Sequence, residues 1–117
     1  MATVTAARWD VEWDRGGGWW VRLGRRARTG DVLPIAAPST LEVRPVDAPS
    51  TTPALLTVAA TVNTDGSYAD IEVTPTHIAT LSGDRYEYRA IVTDATRSLP
   101  LLLLRGYVAI RDTVGDD

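Results

Sequence analysis

Alternating apolar and polar residues predict two long β-strands toward the C-terminal end of the chain. Side chains alternate between the two faces of a strand, so residues two positions apart share a face. On the first strand, the apolar face consists of Tyr86, Tyr88, Ala90 and Val92. The second strand covers residues 99–110, and the polar residues 94–98 between the two predict a turn. We therefore expect a long hairpin with one buried face.

A similar alternation occurs near the N-terminus, in residues 8–14 and 19–23. The residues predicted to face the core are Trp9, Val11 and Trp13 in the first segment and Trp19, Val21 and Leu23 in the second. Residues 15–18 include a run of glycines, which favours a tight turn because glycine tolerates positive φ angles. We expect the two strands to pair as a hairpin whose tryptophans fill one end of the core.

The middle of the chain has weaker patterning. Residues 24–39 are rich in arginine, glycine and proline, and we interpret them as a long connection crossing between two sheets. Further strands are predicted at residues 40–44, 54–62 and 67–73. In the second of these, the predicted inward residues are Leu56, Val58, Ala60 and Val62. Residues 63–66 predict a hairpin turn, and residues 75–81 predict a single helical turn that bridges the sheets.

Many short strands separated by turns, without a long helix, predict an antiparallel β-sandwich or barrel. The length of 117 residues suits one domain, residues 1–117, with a short tail at each end. The segment around Tyr86 resembles the tyrosine corner of immunoglobulin-like sandwiches, in which a tyrosine hydroxyl bonds to the backbone between sheets. Tyr86 is our preferred corner residue, and Tyr88 is the alternative. We assign structural roles to Trp9, Trp13, Trp19, Tyr86, Tyr88 and Gly106.

The composition argues against most kinds of catalysis. The chain has no cysteine, so disulfides, thiolate nucleophiles and zinc–thiolate sites are excluded. All the basic residues except one histidine are arginine, which also removes lysine chemistry. The single histidine, His77, lies in the polar turn without a nucleophile motif such as Gly-x-Ser-x-Gly. We assign no catalytic, cofactor-binding or metal-ligating residue, and we expect no cofactor.

One acidic group needs separate consideration as a metal site. Asp10, Glu12 and Asp14 share one face of the first predicted strand. Carboxylates in such a row could bind a divalent cation. We prefer the interpretation that they form the solvated face of a half-buried strand, where they discourage pairing with other sheets.

Two features predict contacts with other proteins. Arginines are concentrated at Arg22, Arg25, Arg26 and Arg28, which suit an acidic neighbouring protein. We do not expect nucleic acid, because the sequence pI is about 5.0 and the stacking pattern of single-strand binders is missing. The second feature is the apolar run from Leu99 to Leu104, in which an alternating strand would expose every other side chain. The candidate contact residues there are Leu99, Leu101 and Leu103.

Neither the N-terminus nor any apolar run predicts a membrane association. The first residues lack the basic and apolar regions of a signal peptide. The run at residues 99–104 is far shorter than the ~20 residues of a spanning helix. We expect synthesis and use without secretion, or export as part of a particle.

The order of these features resembles a known family. A charged, aromatic strand and a glycine turn come first, followed by a hairpin with glycine at its tip and the turn Thr-Pro…Ile-Ala-Thr-Leu-Ser-Gly. The motifs Tyr-Glu-Tyr and Leu-Leu-Leu-Leu-Arg-Gly-Tyr-Val-Ala-Ile follow. Over residues 8–114 this order is similar to that of the small immunoglobulin-like β-sandwich proteins of tailed-bacteriophage virions, including the N-terminal domain of baseplate upper proteins. The chain departs from the tail-type members in ending at Asp117 without a second module.

The resemblance implies an all-β, antiparallel immunoglobulin-like β-sandwich of about seven to eight strands. It also implies a non-enzymatic structural protein of the virion, which docks onto major capsid or tail proteins and self-associates in the assembled particle. Because the chain is a bare domain, we expect a head decoration or minor capsid protein. The alternatives are a tail or baseplate adaptor and, from a different class, a stand-alone carbohydrate- or protein-binding module that uses Trp20 and Tyr68.

Overall fold

The computed structural model describes residues 7–49 and 51–112, which form two β-sheets and one short helix. The strands are β1 (Ala7–Arg8), β2 (Val11–Asp14), β3 (Trp19–Leu23), β4 (Ile35–Pro45), β5 (Leu56–Ala59), β6 (Thr61–Val62), β7 (Ala69–Val73), β8 (Arg85–Asp94) and β9 (Pro100–Arg111), and the helix is α1 (Pro75–Ala79). The prediction of a mostly β fold is confirmed. The predicted tails, at residues 1–6 and 113–117, lie outside the described residues.

The strands divide into a large and a small sheet. In the large sheet the order is β1–β9–β8–β4–β5, and β2 pairs with β9 alongside β1. The small sheet has the order β3–β7–β6. Buried apolar residues from both sheets form one cluster, so the core lies between the sheets and each sheet keeps an outer face toward solvent.

The predicted C-terminal hairpin is present. β8 and β9 pair in antiparallel fashion from Arg85 opposite Ala109 to Thr93 opposite Pro100. The apolar face predicted for β8 is buried, with Tyr88, Ala90 and Val92 each 1% exposed or less. This pair is the centre of the large sheet, because β4 covers the other edge of β8 and the N-terminal strands cover the other edge of β9.

Asp94 closes the turn of this hairpin. Its Oδ1 accepts hydrogen bonds from the backbone N–H groups of Thr96 (2.9 Å) and Arg97 (3.3 Å). The bond from Thr96 is the main cause that holds the pKa of Asp94 below its usual value of 3.8. A carboxylate whose pKa is lowered by folding stabilises the native state above its unfolded pKa, and this stabilisation is lost as the pH falls through the lowered value.

We therefore expect Asp94→Asn to weaken the acid sensitivity of the fold. The amide keeps an acceptor oxygen but does not titrate, so the variant should be less stable than the wild type at neutral pH. Below about pH 4 the two proteins should converge. Urea unfolding at a series of pH values measures this difference. The control is Asp31→Asn on an exposed loop, and a parallel loss of stability in both variants at every pH would contradict the assignment.

The predicted N-terminal hairpin is wrong. β2 runs parallel to β9, with Val11 opposite Val108 and Trp13 opposite Ile110, whereas β3 pairs with β7 in the other sheet. The glycine turn at residues 15–18 carries the chain from one sheet to the other. Arg15 fixes this crossing, because its guanidinium donates to the carbonyl oxygens of Leu81 and Gly83, each at 2.7 Å. Alternation located β2 and β3, but it missed the break between β1 and β2 and carries no information about which strand is the partner.

The tryptophans meet as predicted, with one exception in burial. Trp19 lies between Trp9 and Trp13, with ring centroids 5.8 and 5.6 Å away. Trp13 is 1% exposed, but Trp9 is 48% exposed. Trp9 lies in the break between β1 and β2, outside the alternation that the sequence suggested. Its expected position on the buried face is therefore wrong, although its ring still contacts the cluster.

Two boundaries in the middle of the chain also differ from the prediction. β4 begins at Ile35, so the connection from β3 is shorter than residues 24–39, and a register irregularity between Ala36 and Thr40 accommodates Pro38. The strand predicted at residues 54–62 is split at Ala60 into β5 and β6, which belong to different sheets. The four residues predicted to face inward nevertheless contact the core, with Val58 buried and Leu56, Ala60 and Val62 partly buried.

The helix connects the two sheets, and two tyrosine contacts fix the backbone beside the large sheet. His77 lies in the first turn of α1, where its Nδ1 accepts from the backbone N–H of Thr74 and its own N–H donates to Thr74 Oγ1. The hydroxyl of Tyr86 accepts a hydrogen bond from Gly83 N at 2.5 Å, which is the local contact predicted for a corner residue. Tyr88 instead donates to the distant carbonyl of Trp9, and burial raises its pKa to about 12.

Candidate functional site

The outer face of the small sheet carries a stacked group of large side chains. Because Trp19, Val21 and Leu23 point inward on β3, the intervening Trp20 and Arg22 point outward. Register places Asp70 of β7 opposite Arg22. The Arg22 guanidinium lies 3.8 Å from the ring centroid of Tyr68 and 5.4 Å from that of Trp20. We call Trp20, Arg22, Tyr68 and Asp70 the Trp–Arg–Tyr surface.

Asp70 holds Arg22 in this position. The carboxylate accepts from Arg22 Nε at 2.8 Å and from Nη2 at 3.0 Å, which is a bidentate contact. The same contact lowers the pKa of Asp70 and raises the pKa of Arg22. An exposed ion pair of this kind contributes little to stability. Its effect is to preorganise a planar cation between two aromatic rings, and arginine and aromatic residues are enriched at protein interfaces.

A groove continues from this surface toward the connection between β3 and β4. It has a volume of about 490 Å³ and is lined by Arg22, Gly24, Arg25, Arg26, Val32, Ser67 and Tyr68. The structure thus brings three of the arginines predicted at an interface, Arg22, Arg25 and Arg26, to one groove. The fourth, Arg28, is exposed near the tip of the connection.

Arg25 differs from the other arginines in its surroundings. Only 13% of its side chain is exposed, and its Nη2 lies 3.3 Å from the carbonyl of Pro34 and 3.6 Å from Asp94 Oδ2. It therefore ties the β3–β4 connection to the end of the C-terminal hairpin. Its side chain forms part of the groove lining, whereas Arg22 and Arg26 carry the exposed positive charges.

The leucine run is accommodated differently from the sequence expectation. Ala90 pairs with Leu104 and Ile91 with Leu102, so Leu103 occupies a β-bulge. The bulge shifts the alternation, so Leu104 and Leu101 both face the core although they are three positions apart, and Leu103 packs against the core as well. Leu99, in the turn, is 54% exposed. Of the three candidate contact leucines, only Leu99 is largely available to a partner.

Sequence reasoning missed a group of arginines on the outer face of the large sheet. Arg105 on β9 lies opposite Arg89 on β8 and also opposite Arg8 on β1. We call these three residues the arginine row. They are widely separated in the sequence, and only the strand register brings them together. Alternation places the outward face of β8, but it does not indicate which residues of the neighbouring strands lie beside that face.

Two acidic residues of the N-terminal segment contact polar groups of β9. Glu12 pairs with Arg111 at 3.1 Å, and Asp10 accepts from the backbone N–H of Tyr107 at 2.9 Å. That backbone bond is the main cause that lowers the pKa of Asp10. Within residues 7–49 and 51–112, no three His, Asp or Glu side chains are grouped so that they could hold a metal ion. The same residues include no helix that is long and apolar enough to span a membrane.

Comparison with known proteins provides no relative from which a function could be transferred. No protein-family model matches the chain, and no curated protein is significantly similar to it.

Proposed function

We propose that the protein is a non-enzymatic structural component of a bacteriophage virion, built as an immunoglobulin-like β-sandwich that docks onto other virion subunits. A head decoration or minor capsid role is the preferred form of this proposal. The virion assignment rests on the order of motifs over residues 8–114 of the sequence. The docking mechanism rests on the surfaces of the two sheets.

The strand order is the structural observation that supports the immunoglobulin-like sandwich in this proposal. In immunoglobulin-like sandwiches, strands B, E and D lie in one sheet and strands G, F, C and C′ lie in the other. The order β3–β7–β6 corresponds to the first set, and the order β9–β8–β4–β5 corresponds to the second. The bond from Gly83 N to the Tyr86 hydroxyl lies just before the strand that corresponds to F, which is where a tyrosine corner occurs.

The Trp–Arg–Tyr surface supports a docking role. Trp20 is 56% exposed although it is the largest type of apolar side chain, and Arg22 is held beside it in a fixed orientation. A fixed arginine loses little conformational freedom on binding, which lowers the cost of association. Burial of Trp20 would add about 25 cal/mol per Å² of apolar area before that cost. An acidic neighbouring subunit would also meet Arg26 in the adjoining groove.

One observation also favours a stand-alone binding module. Trp20 and Tyr68 both face solvent beside the same guanidinium, so together they form an aromatic platform. Such a platform could accept the apolar face of a sugar ring or a side chain of a free protein. This alternative predicts binding by the purified chain alone, whereas the virion proposal predicts binding to assembled particles. A tail or baseplate adaptor uses the same surface and differs in the number of copies in each particle.

We expect the chain to copurify with phage particles at a fixed copy number, and Trp20→Ala to lower its occupancy about tenfold. Loss of a buried aromatic anchor removes enough binding energy for such a change. Quantitative mass spectrometry of purified particles measures both values. A copy number that follows the major capsid subunits supports head decoration, and a small cyclic number supports a tail or vertex position.

The control for this experiment is Leu55→Ala. Leu55 is 52% exposed and lies before β5, on the large sheet rather than the small one. It should leave particle occupancy unchanged. Absence of the wild-type chain from particles would reject the virion role. Equal losses in the two variants would instead reject the Trp–Arg–Tyr surface as the point of attachment.

A further inference from the structure

The arginine row places three cations side by side on the outer face of the large sheet. Arg8, Arg105 and Arg89 occupy matching register positions on β1, β9 and β8. Neighbouring strands are about 4.8 Å apart, so the three backbone positions span about 10 Å. All three residues are exposed. Such a row presents more guanidinium donors in a small area than any single arginine can.

The positive charge of this row is compensated at one end, where Arg8 pairs with Asp10 at 3.5 Å. Like charges directly opposite each other destabilise a sheet. In the part of the chain that the structure describes, neither Arg89 nor Arg105 forms an ion pair with a carboxylate, whereas Arg22 and Arg111 do. Glu42 lies opposite Arg89 on β4, but its carboxylate is engaged by Arg44 Nη1 at 2.7 Å. A bound anion would remove the repulsion that the unliganded sheet contains.

A depression at the row provides space for such an anion. It has a volume of about 100 Å³ and is lined by Arg8, Glu87, Tyr88, Arg89, Arg105, Gly106 and Tyr107. Gly106 lines this depression with its backbone, since a side chain at this position would point toward Trp9 and Asp10 instead. The guanidinium of Arg8 lies 5.0 Å from the Tyr107 ring centroid, and that of Arg85 lies 5.2 Å from it. These contacts orient Arg8 at the rim, and arginine binds carboxylates through paired N–H groups.

Charges around the row restrict the kind of anion that it can accept. Glu42 lies beyond Arg89 on one side, Asp10 lies 3.5 Å from Arg8 on the other, and Glu87 lines the depression itself. A continuous nucleic-acid backbone would have to pass these carboxylates, and the chain carries a net charge of −3. A short anionic group that ends within the row stays clear of Glu42 and Asp10 and meets repulsion mainly from Glu87. The acidic side chains of a peptide have that form.

We propose that the arginine row is a binding site for a short acidic segment of a partner protein, held through its Asp or Glu carboxylates. The site is distinct from the Trp–Arg–Tyr surface, since the two lie on the outer faces of different sheets. It does not depend on the virion assignment. If both surfaces are used, the protein can join two partners on opposite sides of its core.

The test uses a fluorescein-labelled peptide in which Asp and Glu alternate with Gly and Ser. Fluorescence anisotropy at low ionic strength should detect binding to the wild-type protein. Arg89→Gln combined with Arg105→Gln should weaken this binding by about tenfold or more, because two charge-assisted contacts are lost. The matched control is Arg97→Gln combined with Arg111→Gln, which removes the same charge from exposed positions outside the row and outside the cluster at residues 22–28. The control should bind the peptide nearly as well as the wild type.

Three further measurements decide the outcome. The same peptide with Asn and Gln in place of its acidic residues should not bind, and a single-stranded oligonucleotide should bind less well than the acidic peptide. In the wild-type protein, the amide resonances of Gly106 and Tyr107 should shift when the acidic peptide is added, which does not depend on the folding of any variant. Equal weakening in the control pair, binding of the neutral peptide, tighter binding of the oligonucleotide or unshifted resonances at Gly106 and Tyr107 would each overturn the proposal.

Discussion

Replacing Trp13 with alanine is expected to lower the free energy of unfolding by about 3 to 5 kcal/mol, the usual cost of removing a buried tryptophan. Trp13 is 1% exposed, and its ring lies 5.6 Å from that of Trp19 between the sheets. Domains of this size have a total stability of about 5 to 15 kcal/mol. The loss is therefore large enough to unfold a substantial fraction of the protein at moderate temperature.

The chain offers a matched control at Trp20. This residue is 56% exposed, so Trp20→Ala should change stability by less than about 1 kcal/mol. Urea unfolding followed by circular dichroism compares the two variants without relying on tryptophan emission. Similar midpoints for both variants would show that Trp13 does not fill the core. The same comparison separates folding from docking, because Trp20→Ala is the variant expected to fail in particle attachment.

Trp13→Phe, a milder substitution, separates the effect of losing buried apolar area from the effect of losing the indole N–H group. Among the described residues, the indole N–H of Trp13 has no acceptor, and an unpaired buried donor costs about 1 to 3 kcal/mol. Phenylalanine at this position would remove that donor while retaining an aromatic ring. Trp13→Phe is therefore expected to be clearly less destabilising than Trp13→Ala.

Gly106→Ala is expected to destabilise the protein by about 1 to 3 kcal/mol, in the range observed for overpacked cores. A methyl group at Gly106 would collide with the backbone carbonyl of Trp9 and would lie 2.9 Å from Asp10 Oδ1. Backbone atoms cannot rotate away as a flexible side chain can, so the segment between β1 and β2 must move. This movement would disrupt the bond from Trp9 N to Arg105 O, which measures 2.9 Å.

Hydrogen exchange provides the direct measurement for Gly106→Ala. The amides of Trp9 and Tyr107 should exchange faster, while those in the centre of the small sheet should change little. The control is Gly17→Ala, where the nearest atom to an added methyl group is Asp14 Cβ at an ordinary 3.4 Å. Equal stability of the two variants would contradict the close approach at Gly106. Because Gly106 also lines the depression at the arginine row, its substitution should weaken binding of the acidic peptide as well.

Local patterning was sufficient where a strand pairs with its sequence neighbour. Alternation predicted β8, β9 and the buried face of β7, and the Thr-Pro pair predicted the position of α1. Alternation could not predict the partner of β2. The strands before and after the glycine turn show the same alternation of apolar and polar residues whether or not they pair with each other. Alternation also could not place the bulge at Leu103, which depends on how β9 fits against Ala90. The pairing partner of a strand and the position of a bulge depend on contacts between residues distant in sequence. The alternation of apolar and polar residues carries no information about such contacts.

The same distinction between local and long-range contacts applies to the candidate surfaces. Arg22, Arg26 and the platform residue Trp20 lie close together in the sequence, so their proximity in the fold followed from local patterning. Arg25 belonged to the same cluster, but its burial depends on Asp94 across the molecule. The arginine row could not be predicted, because its members come from β1, β8 and β9. Its existence depends on a parallel pairing that the sequence analysis assigned incorrectly.

The parallel pairing of the first strands with the last one determines when the large sheet can be completed during synthesis. Asp10 and Tyr107, which bond across this junction, are 97 positions apart in the chain. On the ribosome, the N-terminal segment must therefore wait, with Trp13 uncovered, until β9 has emerged. The small sheet and the β4–β5 pair can form earlier, because their strands are complete sooner. Closing so long a loop in the last step favours slow folding, in the millisecond to second range of β-rich proteins.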